Sequence, residues 1–300
     1  MRHSLKWWLV YGVAMGGVVG AIALPNSPLM APVVAQTTQI PGEGDLNQGI
    51  QFIQLGRVDD AIIAFRRATQ VNPELAPAHY NLGLALRQKG DLQQAANAFY
   101  QATVTDPGFA LAYGNLGAAL LEGNNLPLAE QYLQRAIALD ADLGMAHYNL
   151  GLVYRLQDNS QAALPAFQRA AQLSPNAPEP PYHAALIYQE LGQIAQAEQG
   201  FQRAIALKSG YAAAHYSLGA LRYQQGNMEG AIAAFRQAAE ANPTYANAYY
   251  AAGMAFLQQQ RFPEAQQVLQ YARDLYTAQG NAQWAAIAAQ QLQQAQQQRF

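Results

Sequence analysis

Small and large apolar residues recur along this chain at one fixed interval, with polar residues filling the positions between them. Alanine stands at Ala61, Ala95, Ala129, Ala163, Ala197, Ala231 and Ala265, 34 residues apart each time and without insertion. Four residues after each comes a large side chain: Phe65, Phe99, Leu133, Phe167, Phe201, Phe235 and Leu269. Three further on stands a second alanine: Ala68, Ala102, Ala136, Ala170, Ala204, Ala238 and Ala272. A small, large, small pattern at i, i+4 and i+7 marks one face of an α-helix.

A second helix is written upstream in each unit, in AHYNLG (78–83), AYGNLG (112–117), AHYNLG (146–151), AHYSLG (214–219) and AYYAAG (248–253), with the degenerate PPYHAA (180–185) in the fifth. Gly56, Gly90, Gly192 and Gly226, with Asn124 and Asp158 in corresponding places, are residues that tolerate the left-handed turn ending a helix. Pro73, Pro107, Pro175 and Pro243 punctuate the loops between units. The glycine of NLG and the alanines of the following helix let two backbones approach closely, and the phenylalanine fills the gap beside them. One such hairpin cannot bury its apolar face alone; stacking passes each open face to the next unit.

This period and these positions resemble the tetratricopeptide repeat family, whose unit is a two-helix hairpin of 34 residues. The resemblance places seven repeats at 42–75, 76–109, 110–143, 144–177, 178–211, 212–245 and 246–279. It implies an all-α fold, a right-handed α-solenoid. Departures from the pattern are Ala141, Ser209 and Thr277 in place of the loop proline, Arg222 in place of a large apolar residue, and Gln48 where other units have Leu or Ala. Residues 280–300 follow as a helix with Trp284, Ala288, Leu292 and Ala295 on one face and many glutamines elsewhere, the pattern of a solvating cap. A partner helix for a coiled coil is the alternative reading of that segment.

Composition narrows the function. Charged residues make up only 12% of the chain and the net charge is -2, without basic clusters, which sets nucleic-acid binding aside. Cysteine is absent, so disulfides, thiolate metal sites and cysteine nucleophiles are excluded. Residues 1–35 read as a secretory signal: basic Arg2 and Lys6, an apolar run from Leu9 to Leu24, then Pro25, Pro28 and Pro32 before a cleavage site between Ala35 and Gln36, with 36–41 as a linker. The alternative is a retained single-pass anchor formed by 9–24. Positive charges ahead of the apolar run place the repeats outside the cytoplasm, in the periplasm or secreted, under both readings.

No phosphate loop, dinucleotide fingerprint, HExxH or nucleophile elbow occurs, and no cofactor is expected. His79, His147 and His215 hold one position in every second repeat, roughly 20 Å apart for helices packed 8–10 Å apart, too far to share an ion. At 100° per residue, unit positions 2, 5, 6, 9, 12 and 13 of the first helix form a stripe beside the core, facing the expected concave groove. Position 5 reads Leu46, Tyr80, Gly114, Tyr148, Tyr182, Tyr216 and Tyr250. Position 9 includes Leu84, Leu152 and Leu186, and position 12 includes Arg87, Arg155 and Tyr223. Tyrosine, aliphatic residues and arginine are the materials of a protein-binding surface, although the position-5 tyrosines also abut the core stripe and could pack there instead.

Position 6 reads Asn47, Asn81, Asn115 and Asn149, then His183, Ser217 and Ala251. This is similar to the asparagine ladder in the repeats of O-linked N-acetylglucosamine transferase, which implies a grip on the backbone of an extended peptide; the alternative is that asparagine is simply frequent there in the family. Leu46 and Ile50 stand where family members that clamp a terminal carboxylate carry lysine and asparagine. The expected function is a non-enzymatic adaptor for one or more proteins or peptide segments, with Tyr148, Asn149, Leu152 and Arg155 at its centre. Rivals are a membrane-anchored assembly factor for an envelope or photosynthetic complex, and a recognition subunit of a separately encoded enzyme.

Overall fold

The computed structural model describes residues 40–297, so the targeting segment expected over 1–35 and most of the linker lie outside the described residues. Within them the chain forms fifteen α-helices and no strand. The helices fall into two compact bodies, one ending at Pro175 and the other beginning at Asn176. The first body holds four hairpins: α1 (Glu43–Gln54) with α2 (Val58–Val71), α3 (Ala76–Lys89) with α4 (Leu92–Thr105), α5 (Ala110–Glu122) with α6 (Leu126–Leu139), and α7 (Gly144–Leu156) with α8 (Ser160–Leu173). The second holds α9 (Glu179–Glu190) with α10 (Ile194–Leu207), α11 (Ala212–Gln224) with α12 (Met228–Ala241), α13 (Ala246–Gln258) with α14 (Phe262–Ala278), and a final helix α15 (Ala282–Gln297). The first helix of each hairpin is called A here and the second B. In each body every helix packs on its chain neighbours, and successive A helices also touch directly.

The alternating small and large residues form the core. None of Phe65, Phe99, Leu133, Phe167, Phe201, Phe235 and Leu269 is more than 1% exposed, and each fully buried side chain of this size contributes about 1.5–3 kcal/mol. Their partner is the glycine of the preceding A helix. A Cβ on Gly83 would come within 2.6 Å of the Phe99 ring, so only hydrogen fits there. The fifth hairpin reverses the arrangement: Ala185 occupies the A-helix site and Gly200 the B-helix site facing it, where an added Cβ would lie 2.7 Å from that of Ala185. The degenerate PPYHAA segment is therefore a small-for-large exchange between two helices that keeps their approach.

Helix ends are set at recurring positions. Gly56, Gly90, Asn124, Asp158, Gly192 and Gly226 take the left-handed conformation anticipated for them, and so does Gln260 with φ 59°. Asp91, Asn125, Asn159 and Asn227 cap α4, α6, α8 and α12 by accepting a hydrogen bond from a backbone N–H in the first turn. In the first and last hairpins an arginine takes this place and works differently. Arg57 lies over Phe52 at 4.6 Å and Arg261 over Phe256 at 4.7 Å, and each pairs with an acid in the first turn of its B helix, Asp60 or Glu264.

In each body one outer helix turns polar groups to solvent. On α1, Gln48 and Gln51 are exposed where the next A helix buries Leu82 and Ala85, and Arg67 donates to the Gln48 amide oxygen at 2.8 Å. Gln48 is thus a solvating substitution at an uncovered face. In the second body α15 buries Ala288, Leu292 and Ala295 while leaving Gln290, Gln293 and Gln294 in solvent. Among the described residues no helix is long and apolar enough to cross a membrane.

Candidate protein-binding face

Within each body, every A helix after the first packs between the B helix of its own hairpin and that of the one before, so most of its surface is covered. Burial therefore sorts the residues of the groove stripe. Tyr80, Tyr148, Tyr182 and Tyr216 are buried, as are Asn81, Asn115, Asn149 and Leu152. Leu84, Arg87, Arg155, Leu186, Tyr223 and Tyr250 are half-buried and reach solvent.

The four buried tyrosines pack tilted against the core phenylalanine of the same hairpin. Ring centroids lie 5.8 Å apart for Tyr80 and Phe99, 5.9 Å for Tyr148 and Phe167, 5.9 Å for Tyr182 and Phe201, and 5.6 Å for Tyr216 and Phe235. A second aromatic covers three of them from the loop ahead of the next A helix: Phe109 on Tyr80 at 4.8 Å, Tyr211 on Tyr182 at 5.0 Å, and Tyr245 on Tyr216 at 5.2 Å. The rings are thus core, and what they turn toward the stripe is the phenolic edge. Phe109, Tyr211 and Tyr245 share the last position of the 34-residue unit, a regularity present in the sequence and not singled out from it.

The asparagines are also turned inward. Asn81 donates to the carbonyl of Pro77 at 2.8 Å and Asn115 to that of Leu111 at 2.9 Å, each one turn back on its own helix. Asn115 further donates to the Tyr80 hydroxyl at 3.3 Å, and Arg87 reaches its amide oxygen at 3.4 Å. Arg87 is held by Glu122 on the next A helix, at 2.5 and 2.9 Å. Tyr80, Arg87, Asn115 and Glu122 therefore form one network joining the second and third hairpins on the stripe. Burial holds the Tyr80 phenol well above the usual tyrosine range, with Arg87 and Asn115 pulling the other way. Glu122 was missed because its partner lies 35 residues away, one position off the repeat interval.

The histidines have a structural duty. The Nε2 atoms of His79, His147 and His215 lie 2.8, 3.0 and 2.8 Å from the carbonyl oxygens of Pro73, Ala141 and Ser209, six residues earlier in each case, and so latch the preceding loop onto the A helix. Among the described residues no group of three His, Cys, Asp or Glu could hold a metal ion. In the second body a hollow of about 300 Å³ between α12, α13 and α14 is lined by Glu229, Ile232, Arg236, Tyr249, Phe256 and Val268 among others.

The stripe of α11, α13 and α15 is aromatic and neutral, whereas α9 carries Glu179 and Glu190 at stripe positions. Trp284 continues the position-5 series 34 residues after Tyr250, with ring centroids 5.5 Å apart, and Tyr276 stacks on it at 5.9 Å. The Tyr276 hydroxyl donates to Asn247 at 2.6 Å. Burial pushes the Tyr216 phenol up to about 12 and raises Tyr223, Tyr245, Tyr250 and Tyr276 as well, so all remain protonated donors near neutral pH.

Comparison with known proteins agrees with this architecture. A family model described as tetratricopeptide repeat matches residues 46–109 and 115–178, a second of that description matches 182–211, and one described as TPR repeat matches 221–260. No curated protein sequence matches the chain. Among solved structures, a chain of the APC/C hetero-tetramer Cut9–Hcn1 aligns with TM-score 0.61 at 21% identity over 72% of this chain, which spans 43% of that longer one. A tetratricopeptide repeat protein from Parabacteroides merdae aligns with TM-score 0.62 at 18% identity, over 83% of this chain and 98% of its own. YrrB, described as a TPR protein with an unusual peptide-binding site, aligns with TM-score 0.54 at 25% identity, over 65% of this chain and 99% of its own.

Proposed function

We propose that this chain, which belongs to the tetratricopeptide repeat family, is a non-catalytic scaffold that binds a segment of a partner polypeptide along the face formed by its A helices. The observation that carries the reading is the sorting by burial: at stripe positions of the A helices Leu84 and Arg155 in the first body, and Leu186, Tyr223 and Tyr250 in the second, stay half-exposed, while Tyr80, Tyr148, Tyr182 and Tyr216 are closed into the core. Apolar and aromatic area beside buried amide and phenol groups is the composition of a protein-binding surface. The peptide-binding site described for YrrB supports the same use of the fold.

The test is affinity capture by the purified chain from an extract of its source, followed by quantification of each captured protein. Arg155→Ala together with Tyr223→Ala is chosen because both side chains are half-buried; Tyr148, at 5% exposure, is core, and its loss would confound folding with binding. Loss of a captured partner at unchanged helicity supports the reading, and undiminished capture refutes it.

The charge and apolar pattern of residues 1–35 supports export, with the repeats working outside the cytoplasm. Mass spectrometry of the mature N-terminus tests this. A chain beginning at Gln36 supports a released protein, and one retaining the apolar run 9–24 makes it the membrane-anchored assembly factor instead.

A further inference from the structure

Two position-5 tyrosines meet a polar side chain at position 6 of the next hairpin, 35 residues on. Asn115 donates to the Tyr80 hydroxyl at 3.3 Å, and Ser217 lies 3.5 Å from the Tyr182 hydroxyl. At Tyr216 the series breaks, because the residue 35 positions on is Ala251, whose methyl group can neither donate nor accept. Tyr216 is only 5% exposed, and among the described residues its hydroxyl has no hydrogen-bond partner. A phenol sealed in that condition would cost stability. It is not sealed: the fully buried side-chain atoms without a partner are Glu43 Oε1, Glu179 Oε2 and Gln259 Oε1 among the described residues, so the Tyr216 hydroxyl opens onto the stripe.

The hydroxyls of Tyr223, Tyr245 and Tyr250 are likewise without a partner among the described residues. The Tyr245 ring lies 5.2 Å from that of Tyr216, and Tyr250 is near enough for its phenol to help raise that of Tyr216. No free charge stands beside them on α11 or α13. Helix α13 contains no Asp, Glu, Lys, Arg or His, while on α11 Arg222 is held by Glu198 at 2.9 Å and His215 by the Ser209 carbonyl at 2.8 Å. Glu179 and Glu190 belong to α9, two hairpins before α13.

We infer that Tyr216, with Tyr250 beside it, is a subsite for the carboxamide of an asparagine or glutamine side chain on the partner polypeptide, doing there what Asn115 does for Tyr80. The inference rests on the A-helix face being the docking face and names a residue type that its second-body half reads. A phenol both donates and accepts, and so does a primary amide. One carboxamide can therefore serve two phenols, its N–H donating to one oxygen and its carbonyl accepting from the other. A carboxylate offers acceptors alone and loses hydration where no cation answers it. An aliphatic side chain would cover the hydroxyls and leave them unpaired. The first body contains the chain's own form of this contact, in the amide of Asn115 against Tyr80.

The experiment is a saturation-transfer NMR titration of the full chain with N-acetylglutamine methylamide, beside the norleucine and glutamate compounds of the same backbone. The glutamine compound should bind at least about fivefold tighter than either control, the worth of one added hydrogen bond. Tyr216→Phe, which keeps the ring and removes the hydroxyl, should erase that preference with helicity unchanged by circular dichroism. Ala251→Asn supplies the amide from the chain itself, so it should raise the melting temperature and also erase the preference. Ala251→Ser, the residue that meets Tyr182, repeats this test with a smaller side chain where asparagine disturbs the hairpin. Equal binding of the glutamine and norleucine compounds overturns the inference, as does tighter binding of the glutamate compound or a preference that survives Tyr216→Phe. In any of these cases, loss of partner capture by Arg155→Ala with Tyr223→Ala would still uphold the docking face, so the two failures are told apart.

Discussion

At the scale of single residues, the repeat is held by what cannot be added as much as by what is present. Gly83→Ala places a methyl 2.6 Å from the Phe99 ring, and in a closed core such overpacking costs about 1–3 kcal/mol. Gly44→Ala, inside α1 with no atom within 4 Å of the new methyl, should instead gain about 0.5–1 kcal/mol, because alanine is the better helix residue. Urea denaturation of the two variants checks the opposite signs. The fifth hairpin permits a sharper test. Gly200→Ala should destabilise by its contacts at 2.7 Å with Ala185 and 3.0 Å with the Pro181 carbonyl. Adding Ala185→Gly should recover part of the loss, and a double-mutant cycle without coupling would refute the exchange. Residue types alone show that Gly83 and Phe99 are core. They do not show that Gly200 compensates Ala185, because that pairing is between helices.

At the scale of the element, two chemistries serve the position where a B helix starts in six of the seven hairpins, Gln193 at the start of α10 making no side-chain cap. Asn227 accepts from the Gly230 N–H at 3.0 Å; Asn227→Ala should cost about 1 kcal/mol, read as a lower melting temperature with helicity unchanged. Arg57 and Arg261 do the same duty through a ring beneath and an acid ahead, so their replacement by alanine removes a contact with the preceding A helix as well. Histidine at the A-helix start was legible as a repeated residue, and its object was not. The carbonyl it holds belongs to the loop six residues back, and only the folded turn brings the two together. Gln260 adopts the left-handed conformation without being a turn residue; repeat register, rather than residue identity, marks it.

For the whole molecule, buried phenols make stability sensitive to alkali. The Tyr216 phenol is pushed from the ordinary 10.0 up to about 12, and Tyr80, Tyr245 and Tyr276 are raised with it. Each raised group keeps its proton in the folded chain after the unfolded chain has lost it. Their contribution is complete below about pH 10 and is lost as the pH climbs toward the folded value near 12. Denaturation midpoints should therefore be flat from neutrality to about pH 10 and then fall, with tyrosinate absorbance lagging behind that of the unfolded chain. The sequence by itself determined the repeat length, the helix pairs, the small and large apolar core residues and the family, because a strict 34-residue interval returns each of those residues to the same point of the same helix pair. Only the tertiary structure decided which stripe residues face solvent. Tyr80, Tyr182 and Tyr216 could serve a core or a groove equally well as sequence, and the choice is made by the phenylalanine of the B helix and the aromatic residue of the following loop, which close over them in space.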